Sequence, residues 1–235
     1  MANGVLVKVS YTFSKAMNTD TIGSGSSLGS LMFYDAANMG RNRALASFDR
    51  PQNFRVAWLA ELPFGAGKHW ARSGMGRYVL GGWQVNGIFS AHTGTPFTVT
   101  ASGASQNAPG QTQTADQIKP TVAKLGGIGS GSPYYDPTAF APVTAVRYGN
   151  TGRNILRGPG LVNADVSLFR NFRVKERWGI QLRGEAYNVS NTPHFSSPAA
   201  NVSSGGFMTI TSTLSRSNNT KGGERQFRVA MKISF

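Results

Sequence analysis

Three groups of side chains in this sequence have the types and spacing to do chemistry. The first is the histidines, His69, His92 and His194. A zinc-like centre needs three or four ligands in a fixed geometry. These three lie far apart along the chain, and there is no Cys to join them. His92 and His194 are the pair that could meet at one end of the molecule, and ordinary loop histidines are the expectation. The second group is Arg153 and Arg157, held in Gly149-Asn-Thr-Gly-Arg-Asn-Ile-Leu-Arg-Gly-Pro-Gly160. Glycines with arginines suit a phosphate cradle. No helix pattern follows, however, and Leu161 opens an alternating run, so a structured loop entering a strand is expected. Gly127-Ile-Gly-Ser-Gly-Ser-Pro133 has loop composition, without the strand-to-helix elbow that exposes a nucleophilic serine. No catalytic constellation emerges. Neither enzyme activity nor a cofactor is expected.

The third group is charged residues at even spacings: Arg55 with Glu61, Arg183 with Glu185, and Arg228 with Lys232. In a strand, residues an even number apart share a face. Each pair therefore points one way, provided that its segment is a strand. The C-terminal run makes that case best. Phe227, Val229, Met231, Ile233 and Phe235 alternate with Gln226, Arg228, Ala230, Lys232 and Ser234. One face is wholly apolar and the other largely polar. A soluble sheet can use the apolar face for its core. An outer-membrane strand can turn it to lipid, with the polar face towards a lumen.

Six such segments are predicted as strands. Residues 5–14 put Val5, Val7, Val9, Tyr11 and Phe13 on one face. Residues 54–64 put Phe54, Val56, Trp58, Ala60, Leu62 and Phe64 opposite Arg55 and Glu61. The third starts at about Val79 and runs to Ala91, with Trp83, Val85, Gly87 and Phe89 on one face. Residues 161–172 carry Val162, Ala164, Val166 and Leu168, and Phe169-Arg-Asn-Phe172 breaks the alternation. Residues 178–188 carry Trp178, Ile180, Leu182, Gly184 and Ala186. Residues 225–235 complete the set. Each is close to the roughly 9–11 residues of a tilted membrane strand. Aromatic residues cluster near the strand ends, as in interfacial girdles.

The connections decide between lipid and a soluble core. Long links of about 39, 69 and 36 residues alternate with short ones, a glycine-rich link through Gly65–Gly76 and residues 173–177. Long structureless connections are rare in compact soluble domains. Long loops on one side and short turns on the other are the habit of outer-membrane barrels. The long links are rich in Gly, Ser, Asn, Thr and Pro, for example residues 23–27, 101–110 and 126–132. Surface loops and turns are expected there. Residues 207–214 are β-prone and read as a strand extension or a hairpin within the last loop.

Composition agrees. Only 14% of residues are charged, yet the net charge is +14. Lys and Arg are scattered singly, so nucleic-acid binding is not expected. No apolar run is long enough for a membrane helix, and residues 1–11 do not form a secretory signal. The expected fold is an all-β antiparallel transmembrane barrel, with outer-membrane lipid as its surroundings. Its lumen-facing candidates are Arg55, Glu61, Arg183, Glu185, Arg228 and Lys232.

The motifs permit a family resemblance. They are Phe48-Asp-Arg-Pro-Gln-Asn-Phe54, Leu62-Pro-Phe-Gly65, Gly82-Trp-Gln-Val-Asn-Gly87 and Gly94-Thr-Pro-Phe97. The 149–160 run, Asp165-Val-Ser-Leu-Phe-Arg170, Arg183-Gly-Glu-Ala-Tyr-Asn188, Asn191-Thr-Pro-His-Phe195 and the terminal run continue them. In this order the chain resembles the C-terminal part of TonB-dependent receptor barrels of the Oar-like group. The resemblance implies an outer-membrane transporter of a Gram-negative bacterium. In such receptors a barrel of about twenty-two strands surrounds an N-terminal plug, and energy arrives through the TonB complex. It further implies that Phe227, Val229, Met231, Ile233 and Phe235 form the signal read by the barrel-assembly machinery.

Six strands are fewer than the roughly eight of the smallest bacterial barrels. Residues 1–235 are therefore expected to be the C-terminal portion of a longer receptor. Its plug, signal peptide and TonB-contacting segment would lie in a preceding part of the protein. The transported ligand has no sequence signature here. The alternatives are a surface all-β binding or adhesion module and an oligomeric porin-like pore.

Overall fold

A computed structural model gives the fold and describes residues 4–19, 38–106, 113–173, 179–214 and 224–235. Residues 174–177 of the predicted short turn, Trp178, residues 23–27 and residues 107–110 lie outside these. The alternating segments form six strands: β1 Val5–Phe13, β2 Gln52–Glu61, β3 Trp83–His92, β4 Leu161–Arg173, β5 Gly179–Tyr187 and β6 Gln226–Ser234. They pair in chain order as one antiparallel meander. The described sheet is open, with β1 and β6 at its edges.

The register fixes two faces. Val7 stands opposite Trp58, Trp58 opposite Gly87, and Gly87 opposite Val166. Val166 stands opposite Ala186, and Ala186 opposite Phe227. Partners in a ladder point the same way, so an apolar surface runs unbroken across all six strands. A one-residue slip in any pair would bring polar residues onto this surface. Most of its large side chains are exposed, including Val7, Val9, Tyr11, Phe13, Val162, Leu168, Leu182, Val229 and Met231. A sheet in water would cover them.

The buried core lies elsewhere, in the long connections. Val99, Ala115, Tyr134, Tyr135, Ala139, Phe140, Leu156, Met208 and Ile210 pack together, with Phe97, Val122, Phe195 and Phe207 against them. The second and third long links thus fold into one cap. Short ladders hold it. Asp116–Gln117 pairs with Phe140–Ala141, Pro96–Phe97 with Leu156–Arg157, and Thr100 bridges both Thr114 and Asn201. The 194–199 arm runs against 208–214, with Leu214 N donating to His194 O at 2.7 Å and Met208 N to Ala199 O at 2.8 Å. The β-prone run is thus one arm of a hairpin inside the last long link.

Three expectations need correction. The long links are not merely surface loops, because glycines there let backbones approach. A Cβ at Gly127 would sit 2.6 Å from the Pro133 carbonyl oxygen, and one at Gly160 would sit 2.8 Å from that of His92. The third strand begins at Trp83 and not near Val79, because Val79 and Leu80 end a helix, α1 Gly74–Leu80. The second strand ends at Glu61. Leu62 N then bonds Trp83 O at 2.9 Å, and Phe64 bridges Trp70 across the turn.

Candidate functional site

The face opposite the apolar surface carries the charges. Arg55 on β2 stands opposite Ser10 and Ser90. Arg183 and Glu185 on β5 lie 3.3 Å apart and form an ion pair. Arg228 on β6 is directly opposite Glu185, and Lys232 is opposite Gln181. Tyr187 donates its hydroxyl to Glu185 at 2.8 Å and lies under the Arg228 guanidinium, 5.5 Å from the ring centre. Arg183 also covers the ring of its ladder partner Phe169. The even spacing of these residues is what brings them to one side.

Glu61 belongs to the same face, but its partner comes from the turn. Lys68 Nζ donates to it at 2.5 Å, and Gln84 Nε2 lies 3.5 Å away. The six candidates therefore share a face without forming one cluster. Arg183, Glu185 and Arg228 come together, whereas Arg55, Glu61 and Lys232 stand apart. Lys8, Arg55, Arg183, Arg228 and Lys232 outnumber Glu61, Asp165 and Glu185 there, so the face is basic. It is not uniformly polar, since Leu6, Leu59 and Ile88 interrupt it.

At the long-loop end the cap is tied down by the 149–160 run. Arg157 forms an ion pair with Asp49, whose side chain is 0% exposed, and donates to Asp49 O and Gly94 O at 3.1 Å. Arg153 donates to Asn18 O at 2.6 Å, Asn154 Nδ2 to Leu45 O at 2.6 Å, and Arg41 to Gly149 O. These guanidinium groups hold the first long link against the second. That use matches the structured-loop expectation and leaves the phosphate cradle unsupported. Near the cap surface Arg147 grips Asp116 through two bonds of 2.9 and 2.6 Å. The Arg147 hydrogen bonds hold the Asp116 carboxyl below its ordinary range, against the opposing effect of burial.

The histidines separate. His194 is buried, its Nε2 3.2 Å from Val162 O. His92 sits with Thr93 O at 3.1 Å and Arg50 Nη1 at 3.4 Å. Among the described residues no three His, Asp or Glu side chains group as metal ligands would. Two features escaped sequence reasoning. One is the Asp49–Arg157 pair, which joins residues 108 apart in sequence. The other is Arg170, on the apolar face at the short-turn end. It donates to Tyr78 O and to Val79 O, the latter at 2.8 Å, and lies over the rings of Trp83 and Phe172. The broken alternation at Phe169-Arg-Asn-Phe172 was its only signal.

An apolar sheet face, a charged face and alternating link lengths have one common explanation, and comparison with known families supplies it. The family described as outer membrane beta barrel domain matches residues 1–228. The chain belongs to this family. No curated protein and no solved structure gives a match. This outer-membrane β-barrel protein therefore resides in the outer membrane, with strands rather than helices as its spanning elements. No described helix is long and apolar enough to cross a bilayer.

Proposed function

We propose that this chain is the C-terminal sector of a TonB-dependent, Oar-like receptor, and that the receptor moves a ligand across the outer membrane without enzyme chemistry. The division of the sheet carries this reading. Its apolar face suits lipid, and its basic face, with Arg55, Glu61, Arg183, Glu185, Arg228 and Lys232, suits a water-filled interior. Charged groups are tolerated in such an interior, whereas Arg or Lys on the lipid face costs about 2–4 kcal/mol at midplane. The family motifs from Phe48 to the terminal run support the receptor class.

The open sheet supports the larger assembly. In lipid each unpaired edge N–H or C=O costs several kcal/mol. Both β1 and β6 have such an edge. In this reading further strands of the same receptor close the barrel, and an N-terminal plug meets the TonB complex. Phe227, Val229, Met231, Ile233 and Phe235 act as the strand that the barrel-assembly machinery captures by edge pairing.

The test is an immunoblot of outer-membrane extracts with an antibody to the last ten residues. A heat-modifiable band several times larger than the 25.1 kDa of this chain is expected. A band at 25.1 kDa would contradict the receptor reading and favour an oligomeric pore or an adhesion module.

A further inference from the structure

We propose that α1 is a membrane-interface anchor: Met75, Tyr78, Val79 and Leu80 enter the headgroup boundary of the leaflet at the short-turn end, and Arg72 and Arg77 bind anionic phospholipid headgroups there. The inference rests on the outer-membrane barrel and is independent of what the receptor transports.

The helix lacks the usual reasons to form in water. It has seven residues, including Gly74 and Gly76, and buries none of its side chains. Isolated helices this short are unstable in water, and each interior glycine costs about 1 kcal/mol relative to alanine. Its apolar residues are exposed: Met75 at 82%, Tyr78 at 71%, Val79 at 56% and Leu80 at 48%. Trp70, just upstream, is exposed too. An apolar phase would supply the missing burial.

The helix also sits where that phase begins. Arg170 and Trp83 belong to the apolar sheet face by register. Arg170 bonds the carbonyls of Tyr78 and Val79, and the Trp83 indole donates to Val79 O at 3.0 Å. The C-terminal end of α1 is thus fixed to the lipid-facing surface and extends it. Arg170 itself sets the depth. A guanidinium on the lipid face costs little near an interface, about 0–1 kcal/mol, and several times more at midplane.

Charge matches the occupant. Between Leu62 and Ala91 there are Lys68, Arg72 and Arg77 and no Asp or Glu. Lys68 is taken by Glu61, whereas Arg72 makes one bond to Lys68 O and Arg77 lies beside the Tyr78 ring. A cationic rim around exposed Met, Tyr, Val and Leu is the composition of an interfacial helix on an anionic surface.

The chain contains no Cys, which suits single-cysteine spin labelling. The intact outer-membrane protein would be reconstituted into phosphatidylcholine bilayers with and without phosphatidylglycerol. Labels would be placed at Met75→Cys, at Leu168→Cys on the apolar face and at Val146→Cys on the cap. The label at 75 is expected to be more accessible to oxygen than to a water-soluble nickel chelate, as at 168 and opposite to 146. Phosphatidylglycerol should deepen it, and Arg72→Gln with Arg77→Gln should abolish that deepening. A label at 75 that behaves like 146 would overturn the anchor. So would shielding from both reagents, which would mean that a second copy or another protein covers the helix. Deepening that survives the double substitution would overturn the headgroup site. Failure at 168 as well would instead indict the barrel itself.

Discussion

Two residues show how closely side chains and backbone are matched here. Gly87 lies on the apolar face opposite Trp58, whose indole covers it; a Cβ there would meet ring atoms at 2.6 and 2.7 Å. Gly184, on the same face, has nothing within 4 Å of its Cβ position. Overpacking costs about 1–3 kcal/mol. Gly87→Ala should therefore lower the unfolding free energy from urea titration by that amount, and Gly184→Ala should leave it nearly unchanged. Equal effects would show that Trp58 moves freely. Asp49 makes a second case. Removing the partner of a buried charge costs about 3–5 kcal/mol, so Arg157→Met should expose the cap to protease while the strands stay protected. A cap as resistant as the parent's would mean that the pair is dispensable.

At the scale of elements, strands and cap follow different rules. The cap's Asp116–Arg147 clamp carries a pH dependence. The Asp116 carboxyl is held below its usual range. Its contribution is present above the unfolded carboxyl value, about 3.9, and is lost as pH falls through the lower folded value. Arg147 is half exposed, so solvent screens the pair and its contribution is small. Protease sensitivity of the cap should rise in acid, and less so in Asp116→Asn. An identical acid profile in that variant would remove the clamp from the account. The last strand makes a different prediction: deleting Phe235 should sharply reduce assembled protein in the outer membrane. Normal yield would show that the terminal aromatic is no assembly signal.

The strands were legible in the sequence because a period of two needs only local information. Val5 to Phe13 and Phe227 to Ile233 announce their faces without any knowledge of neighbours. The cap was not legible, because its core residues have no period. Val99, Tyr134 and Met208 meet only after two long links fold together, and their Gly and Ser neighbours look like turns. Helix α1 was hidden for a related reason. Tyr78-Val-Leu80 is β-prone, and tertiary bonds from Arg170 and Trp83 override that preference. The six charged candidates were legible as sharing a face, but the partner of Glu61 was not, since Lys68 comes from a turn.

At the scale of the molecule, an apolar sheet face, a basic face and an irregular cap compose one object, an outer-membrane β-barrel protein whose long links fold together. In the proposed barrel, lipid lies on the side of Val56, Val166 and Leu182, and water on the side of Arg55, Arg183 and Arg228. The most direct measurement is fluorescence quenching by bromine-bearing lipid at six consecutive single-cysteine positions on β5, residues 180–185, in the reconstituted protein. Labels at Ile180, Leu182 and Gly184 should be quenched, and labels at Gln181, Arg183 and Glu185 should not. Uniform quenching, or the reverse alternation, would contradict the assignment of the two faces.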